Sequence, residues 1–357
     1  MKKNKLMIFV FSLFITALAV SLIMPVCAAE KPIVLTLAEY KTPSDLTGKG
    51  ALILQEEIAD KTNGKVNLKI YWAGSLIKGK EILRGVEDGV ADMGNVNPNY
   101  YPNQLPIGGV YNIIPRGPAE YESQMEIYET VMEEIPEWKE EFLAHNQLPI
   151  YPYAMSAKAI CSTKPLASLD DFENQKMRSA ARWLLDMMEA AGGTPVSVPW
   201  GDCYMALQTG TIDAVLTNLG SLHHAKLDEV ASNILLIDRL WAKPAVFYTI
   251  NLDSWNKLSE EIQGQIMEAM ETTAVRYKEL YDADWDECIK EVEEMGCVVN
   301  TMSTEDMEKW VNLPIVGEIQ AQWVKEMEKQ GMENASEILE KIKSIVTEVV
   351  KKEEMNK

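Results

Sequence analysis

Histidine is scarce: the 357 residues contain three, His145, His223 and His224, and five cysteines. No Cys-x-x-Cys pair, phosphate-cradling glycine loop or G-x-S-x-G elbow occurs in the chain, so the usual motifs for dithiol redox, nucleotide and serine-hydrolase chemistry are missing. His223 and His224 are adjacent and point to different faces, a poor geometry for two ligands on one metal, and read as surface or cap residues. Asp282, Asp284 and Asp286 begin like a calcium loop, but Glu287 holds the position where that loop needs glycine, within a helical pattern. No cofactor or metal is expected on these grounds. Basic residues are also in deficit: 34 Lys and Arg against 54 Asp and Glu leave a formal charge of -20. A phosphate backbone would be repelled, which excludes nucleic acid as a partner.

Hydrophobic residues make up 47% of the chain and charged residues 25%, the composition of a globular protein with a large core. The length suggests about two domains, with a cleft between them as the default ligand site. Lys2, Lys3 and Lys5 precede an uncharged apolar run from Leu6 to Val26, followed by Cys27-Ala28-Ala29. This is the layout of a secretory signal, with cleavage after Ala28 preferred over Ala29. The run is long enough to span a bilayer, so an uncleaved anchor is the alternative. Cleavage after Ala28 removes three lysines and no acids, taking the charge from -20 to -23. Of the cysteines that remain, Cys161, Cys203, Cys288 and Cys297 are widely spaced, and no disulfide pair is predictable. No second long apolar run follows.

The body opens on an apolar, β-branched run, Ile33 to Ala38, then a helical pattern from Thr47 to Thr62 closed by Asn63-Gly64. Val66, Leu68 and Ile70 alternate with polar residues up to Trp72; Gly79 to Gly89 is helical, and Val90 to Met93 is a short strand. This β-α-β-α-β order implies parallel pairing. After a long acidic helical stretch, Ala119 to Ala144, strand-like runs recur at Leu148–Tyr153, Ala157–Ser162, Pro195–Val198 and Ile212–Thr217, with helices at Ala181–Ala191 and Gly201–Thr209. Val246 to Leu252 reads as a return strand, Ser259 to Met295 as one or two long helices, and Ile315 to Lys352 as helix again.

The central block strongly resembles a known family. Lys176-Met177-Arg178, then Ala191-Gly192-Gly193-Thr194-Pro195-Val196, then Pro199-Trp200-Gly201-Asp202-Cys203-Tyr204-Met205-Ala206-Leu207-Gln208-Thr209-Gly210-Thr211-Ile212-Asp213 match extracytoplasmic solute-binding subunits of TRAP transporters, the DctP-like family, in residues and spacing. Gly64-Lys65-Val66, Trp72-Ala73-Gly74-Ser75-Leu76 and Gly89-Val90-Ala91-Asp92-Met93-Gly94 look like its N-terminal pattern. The resemblance implies a periplasmic-binding-protein-like α/β fold: two α/β lobes joined by hinge strands, with a long bracing helix. The implied division is residues 1–28 as signal peptide or anchor, 29–154 plus about 244–280 as lobe I, and 155–243 plus about 281–357 as lobe II. The implied function is non-enzymatic: hinge closure on a small organic acid, then delivery to the small and large integral membrane subunits of a sodium-coupled transporter, outside the cytoplasmic membrane.

The resemblance makes Arg178 the first candidate, a two-pronged partner for a ligand carboxylate, because the guanidinium fork matches two oxygens. Lys158, four residues before Ser162, stands where the family often has a second basic group, and Thr217 or Asn218 supplies a polar contact. Trp200 holds the place of an aromatic wall. Tyr40, Asn95 and Asn97 sit at or beyond strand ends, where open α/β sheets bind ligands. Arg182, one turn after Arg178, either adds positive potential or pairs with Asp186, and Trp241 completes the candidates. The rival readings are a binding subunit of an ATP-driven importer or a sensor, and a secreted hydrolase exploiting the many carboxylates.

Overall fold

The structure is a computed structural model that describes residues 31–237 and 239–356. The expected signal or anchor segment lies outside the described residues. From Val34 onward the chain forms one compact body containing two β-sheets.

The first sheet has the order β2-β1-β3-β10-β4, from strands β1 Ile33–Ala38, β2 Val66–Tyr71, β3 Met93–Val96, β4 Gln147–Tyr153 and β10 Val246–Asn251. β1 and β3 run parallel, as the alternating order implies, while β10 is antiparallel to both β3 and β4. The second sheet has the order β11-β9-β5-β8-β6-β7, from β5 Lys158–Ser162, β6 Lys176–Arg178, β7 Thr194–Val196, β8 Ala214–Asn218, β9 Asn233–Leu236 and β11 Val298–Thr301. β6, β9 and β11 are additions to the strands expected from sequence, three or four residues each and too short for a periodic signal.

Helices cover both sheets. Those used below are α1 Leu46–Lys61, α2 Ile82–Glu87, α3 Tyr121–Glu134, α4 Pro136–Leu143, α5 Arg182–Ala190, α6 Cys203–Gln208, α7 Leu219–His224, α8 Glu260–Glu294, α9 Thr304–Val311, α10 Pro314–Lys329 and α11 Ala335–Met355. The acidic stretch read as one helix divides at Pro136, whose ring fits the first turn of α4 but cannot continue α3. The C-terminal stretch likewise divides, at Gly331, which takes φ +96° just past α10.

The chain passes between the sheets from β4 to β5, again from β9 to β10, and a third time through α8 to β11. α8 is a single helix of 35 residues, about 50 Å long at 1.5 Å per residue. Ser259 caps it by accepting from the Ile262 N–H, and Glu260 and Glu261 favour its positive end. Its buried stripe, from Ile262 through Tyr277, Tyr281 and Cys288 to Val292, packs on α1, β4 and α7. The approach to α1 is close: a Cβ on Gly50 would meet the Tyr277 ring at 2.9 Å. Two α8 tyrosines hold the first crossing, Tyr277 donating to the Ala154 carbonyl at 3.0 Å and Tyr281 to that of Met155 at 3.3 Å. α11 packs on α3.

In the second half, α9 inserts Trp310, which is 0% exposed. Its ring meets Phe172 and Trp241 edge-on at 5.1 and 5.6 Å, and its indole N–H donates to the Met187 carbonyl at 3.1 Å. Trp310→Ala is expected to lower the unfolding free energy by about 3–5 kcal/mol, from lost burial and the cavity left behind. Urea denaturation of the two proteins measures it, and a loss below about 1 kcal/mol would show that α9 does not anchor this core.

Candidate ligand-binding site

The second sheet aligns several candidates by register. Lys158, first in β5, lies opposite Asn218, last in antiparallel β8. Arg178, last in β6, lies beside Val215 of parallel β8 and Val196 of β7. One edge of the sheet therefore carries Lys158, Arg178, Thr217 and Asn218. These side chains line a cavity of about 70 Å³, together with Asn97 and Asn99 beyond β3, Asn112, Leu184 of α5, and Met155, Ser156, Lys243 and Pro244 from the two crossings. No carboxylate is among its lining residues.

Arg178 is 1% exposed. Its Nε donates to the Val198 carbonyl at 2.9 Å, its guanidinium lies 5.6 Å from the Trp200 ring, and it shares a hydrogen bond with the Tyr100 hydroxyl. Its Nη2 is buried with no hydrogen-bond partner among the described residues. An unsatisfied cationic donor in the interior is costly, and a carboxylate on the cavity side would satisfy it. Lys158 donates to the carbonyls of Trp241 at 2.5 Å and Ala242 at 3.1 Å. Burial, and then the neighbouring Lys243 charge, push its pKa well below the ordinary lysine value. Lys243 reaches the Gln124 side-chain oxygen at 3.1 Å when that amide is oriented to donate to the Met155 carbonyl. Asn218 caps α7 by accepting from the Ser221 N–H at 2.8 Å, and Ser156 donates to the same oxygen at 3.2 Å.

The other candidates are placed differently. Asn97 lines the cavity and donates to the Tyr40 hydroxyl at 3.4 Å, while Tyr40 stacks edge-on against Tyr100, one layer behind. Asn95 lies within β3 rather than beyond it, and its amide N–H groups go to both oxygens of Glu39 at 2.7 and 2.8 Å. Trp200 forms a face between cations, with Lys41 at 3.9 Å and Arg178 on it. Arg182 is not brought to the cavity: it pairs with Glu326 of α10 at 2.8 Å and lies on the Trp183 ring. The Trp241 ring is buried against Trp310, so this residue reaches the site only through its carbonyl. Sequence reasoning passed over Lys41, Tyr100, Asn112, Ser156 and Lys243. Of these, Asn112 and the crossing residues Ser156 and Lys243 sit in stretches without periodic pattern; only the long-range fold gathers them.

Lys41 also links the two halves. From beyond β1 its ammonium donates to Asp45 at 3.0 Å and to Ser221 of α7 at 2.8 Å. A larger groove, about 600 Å³, lies near α11, but it is open and both its acids already pair with its arginines, Glu308 with Arg116 and Glu354 with Arg239. The small cavity with its orphan guanidinium nitrogen is the better ligand site.

The model of bacterial extracellular solute-binding proteins, family 7, matches residues 37–315. The chain belongs to this family. It is a solute-binding protein, not an enzyme. Among its relatives, the ectoine-binding periplasmic protein TeaA of Halomonas elongata is 25% identical over 58% of this chain and 60% of its own length. The C4-dicarboxylate-binding periplasmic protein DctP of Rhodobacter capsulatus is 27% identical over 71% of this chain and 75% of its own length. The matched stretch thus spans three fifths of TeaA. The fold is also that of a Rhodoferax ferrireducens TRAP solute-binding protein solved with copurified benzoate, at TM-score 0.79 and 16% identity, covering 89% of this chain and 99% of that one. The crystal structure of TeaA matches at TM-score 0.78 and 20% identity, over 88% and 99% of the two chains. No helix among the described residues is long and apolar enough to cross a membrane. The four cysteines Cys161, Cys203, Cys288 and Cys297 are free thiols.

Glu39, behind the cavity, is 0% exposed, and burial raises its pKa to about 7 against the hydrogen bonds from the Lys41 N–H and Asn95. Because the folded value exceeds the unfolded one, Glu39 costs nothing below about pH 4.5 and weakens the fold increasingly as pH rises through 7. The expected loss between pH 4.5 and 8 is on the order of 3 kcal/mol. Glu39→Gln should remove that component, so denaturation at both pH values should show a flatter profile; an unchanged profile would place the titration elsewhere.

Proposed function

We propose that this protein captures a small organic acid by its carboxylate outside the cytoplasmic membrane. In this reading its two lobes close around the acid, and the loaded protein hands it to the small and large membrane subunits of a sodium-coupled transporter. The observation that carries the reading is the buried Arg178 guanidinium, whose Nη2 lacks a partner at a cavity lined by amides, hydroxyls and lysines and by no acid. A carboxylate oxygen there would complete the hydrogen bonds of the buried Arg178 guanidinium. An ammonium has three donor hydrogens. Two of those on Lys158 are taken by carbonyls, and a third is available to an anion. Asn97, Thr217 and Asn218 would fix the rest of the solute. The relatives named for ectoine and C4-dicarboxylates support a carboxylate, since those solutes carry one.

The lobes of this reading follow the two sheets. The crossings at residues 154–157 and 239–245 act as hinge strands, and Lys41 joins the halves in the closed form. The chain's strong negative charge opposes an approaching anion at long range, but screening over about 8 Å at physiological salt leaves the local cations in control.

A thermal-shift screen against organic acids, sugar acids and amino acids, with neutral sugars as controls, is expected to give a rise with one carboxylate class. Arg178→Ala should weaken binding of that solute at least about tenfold, one charge-assisted hydrogen bond contributing about 1.5–3 kcal/mol. Arg178→Lys should recover little, because an ammonium cannot make the fork. Shifts with neutral solutes alone, or unchanged affinity in Arg178→Ala, would overturn the carboxylate reading.

A further inference from the structure

Where the end of α7 meets α8, three metal-ligating side chains converge that belong to no site described so far. His224 ends α7, and Asp284 and Cys288, four residues apart, share one face of α8. His224 Nε2 lies 2.6 Å from Asp284 Oδ1 and 3.9 Å from Cys288 Sγ. One donor atom from each of the three lies within 4.8 Å of the others. The sequence motifs gave no hint of this, because the histidine pair and the aspartate series look unpromising apart and meet only when α7 packs on α8.

We propose that His224, Asp284 and Cys288 form a binding site for one zinc-like divalent ion. Metal–ligand bonds of about 2.0–2.3 Å in tetrahedral array place donor atoms roughly 3.3–3.7 Å apart. The nitrogen–sulfur pair needs to close only slightly, while the nitrogen–oxygen pair opens as the ion takes the place of the hydrogen bond and the neutral imidazole carries its one proton on Nδ1. An independent observation points the same way. Asp284 is 2% exposed, and its Oδ2 has no hydrogen-bond partner among the described residues. That oxygen is pressed against Gly220, where a Cβ would lie 2.2 Å from it. A buried carboxylate with an idle oxygen is costly without a cation.

The donor set selects the ion class. Imidazole and thiolate suit zinc and its neighbours, whereas calcium and magnesium require oxygen shells. A neutral imidazole, a carboxylate and a thiolate together balance a divalent charge, so the loaded site is neutral in a buried place. Binding releases the Cys288 proton to solvent and changes no oxidation state. The His224 side chain retains 14% exposure, which provides the entry side. His223 is committed elsewhere, with Asp228 and Glu291 each 2.6 Å from its ring nitrogens, so water takes the fourth position. Such an ion would fasten α7, whose cap Asn218 lines the solute cavity, to the long helix.

Cobalt(II) is the probe, because thiolate coordination gives it an intense charge-transfer absorption. Titration of the purified protein is expected to produce that band with one-to-one stoichiometry, to lose it on adding zinc, and to leave a melting temperature several degrees higher with zinc in hundredfold excess over Kd. Cys288→Ala should abolish the band. His224→Gln, at a partly exposed position, should weaken binding at least tenfold while leaving any solute-induced thermal shift unchanged. Absence of the band in the wild-type protein, or a band that survives Cys288→Ala, would overturn the proposal.

Discussion

A guanidinium and an ammonium are held inside this protein with no carboxylate against either among the described residues, and the architecture around the cavity answers to that constraint. Taking an ion out of water costs several kcal/mol even after relaxation. Lysine can respond by holding its proton less tightly, and the lowered pKa of Lys158 is that response. Arginine has no such route. Arg178 must instead be surrounded by fixed dipoles, and it is: the Val198 carbonyl, the Tyr100 hydroxyl and the face of Trp200. What they leave undone is the second terminal nitrogen, which has no hydrogen-bond partner among the described residues and which an anionic acceptor from outside would complete.

Holding those dipoles in place is the task of the frame. Register alone sets Lys158 level with Asn218 and Arg178 beside β8, so sliding β5 by one residue would turn Lys158 away from the cavity. The carbonyls that receive the Lys158 ammonium belong to the second crossing, where Trp241 takes a left-handed φ of +55° and its ring is gripped by Trp310. The first crossing is tied by Tyr277 and Tyr281 to a helix that also packs on α1. Site and core are thus joined through backbone: the side chains that stabilise the crossings are apolar or tyrosine, while the atoms they present to the cavity are polar.

The sequence carried much of this, unevenly. Period-two and period-3.6 patterns marked most long elements, since burial of one face repeats along them: β1, β2, α1 and α8 fall within a residue or two of the expected bounds. Patterns could not reveal β6, β9 and β11, whose few residues are strands because neighbours offer them hydrogen bonds. For the site, Arg178, Lys158, Thr217, Asn218 and Asn97 reach the cavity, four of them carried there by two strand ends, one strand start and one register. Arg182 was misplaced by helical proximity. Arg178 ends β6 and Arg182 opens α5, so the two share no helix face, and Arg182 meets Glu326 instead of the cavity. Tyr40, beyond β1, and Asn95, inside β3, are taken up by Tyr100 and Glu39, partners from the same half that no periodic pattern brings to them.

Lys41 sets the energetic scale for the proposed closing motion. It keeps Asp45 within its own half, but the Ser221 hydroxyl and the Trp200 ring belong to the other, so separating the halves forfeits both. A hydrogen bond to a charged group contributes about 1.5–3 kcal/mol, and a desolvated cation–π contact up to about 2. In the proposed motion these contacts would favour the closed form by a few kcal/mol without solute, against the cost of keeping Arg178 and Lys158 buried and unneutralised. An arriving carboxylate removes that cost only in the closed form. Moving such an equilibrium from one extreme to the other takes about 5.5 kcal/mol of differential affinity. The idle Arg178 Nη2 and the third Lys158 hydrogen, at about 1.5–3 kcal/mol each, together reach that order, so in the proposed motion a single small anion would decide the position of the lobes.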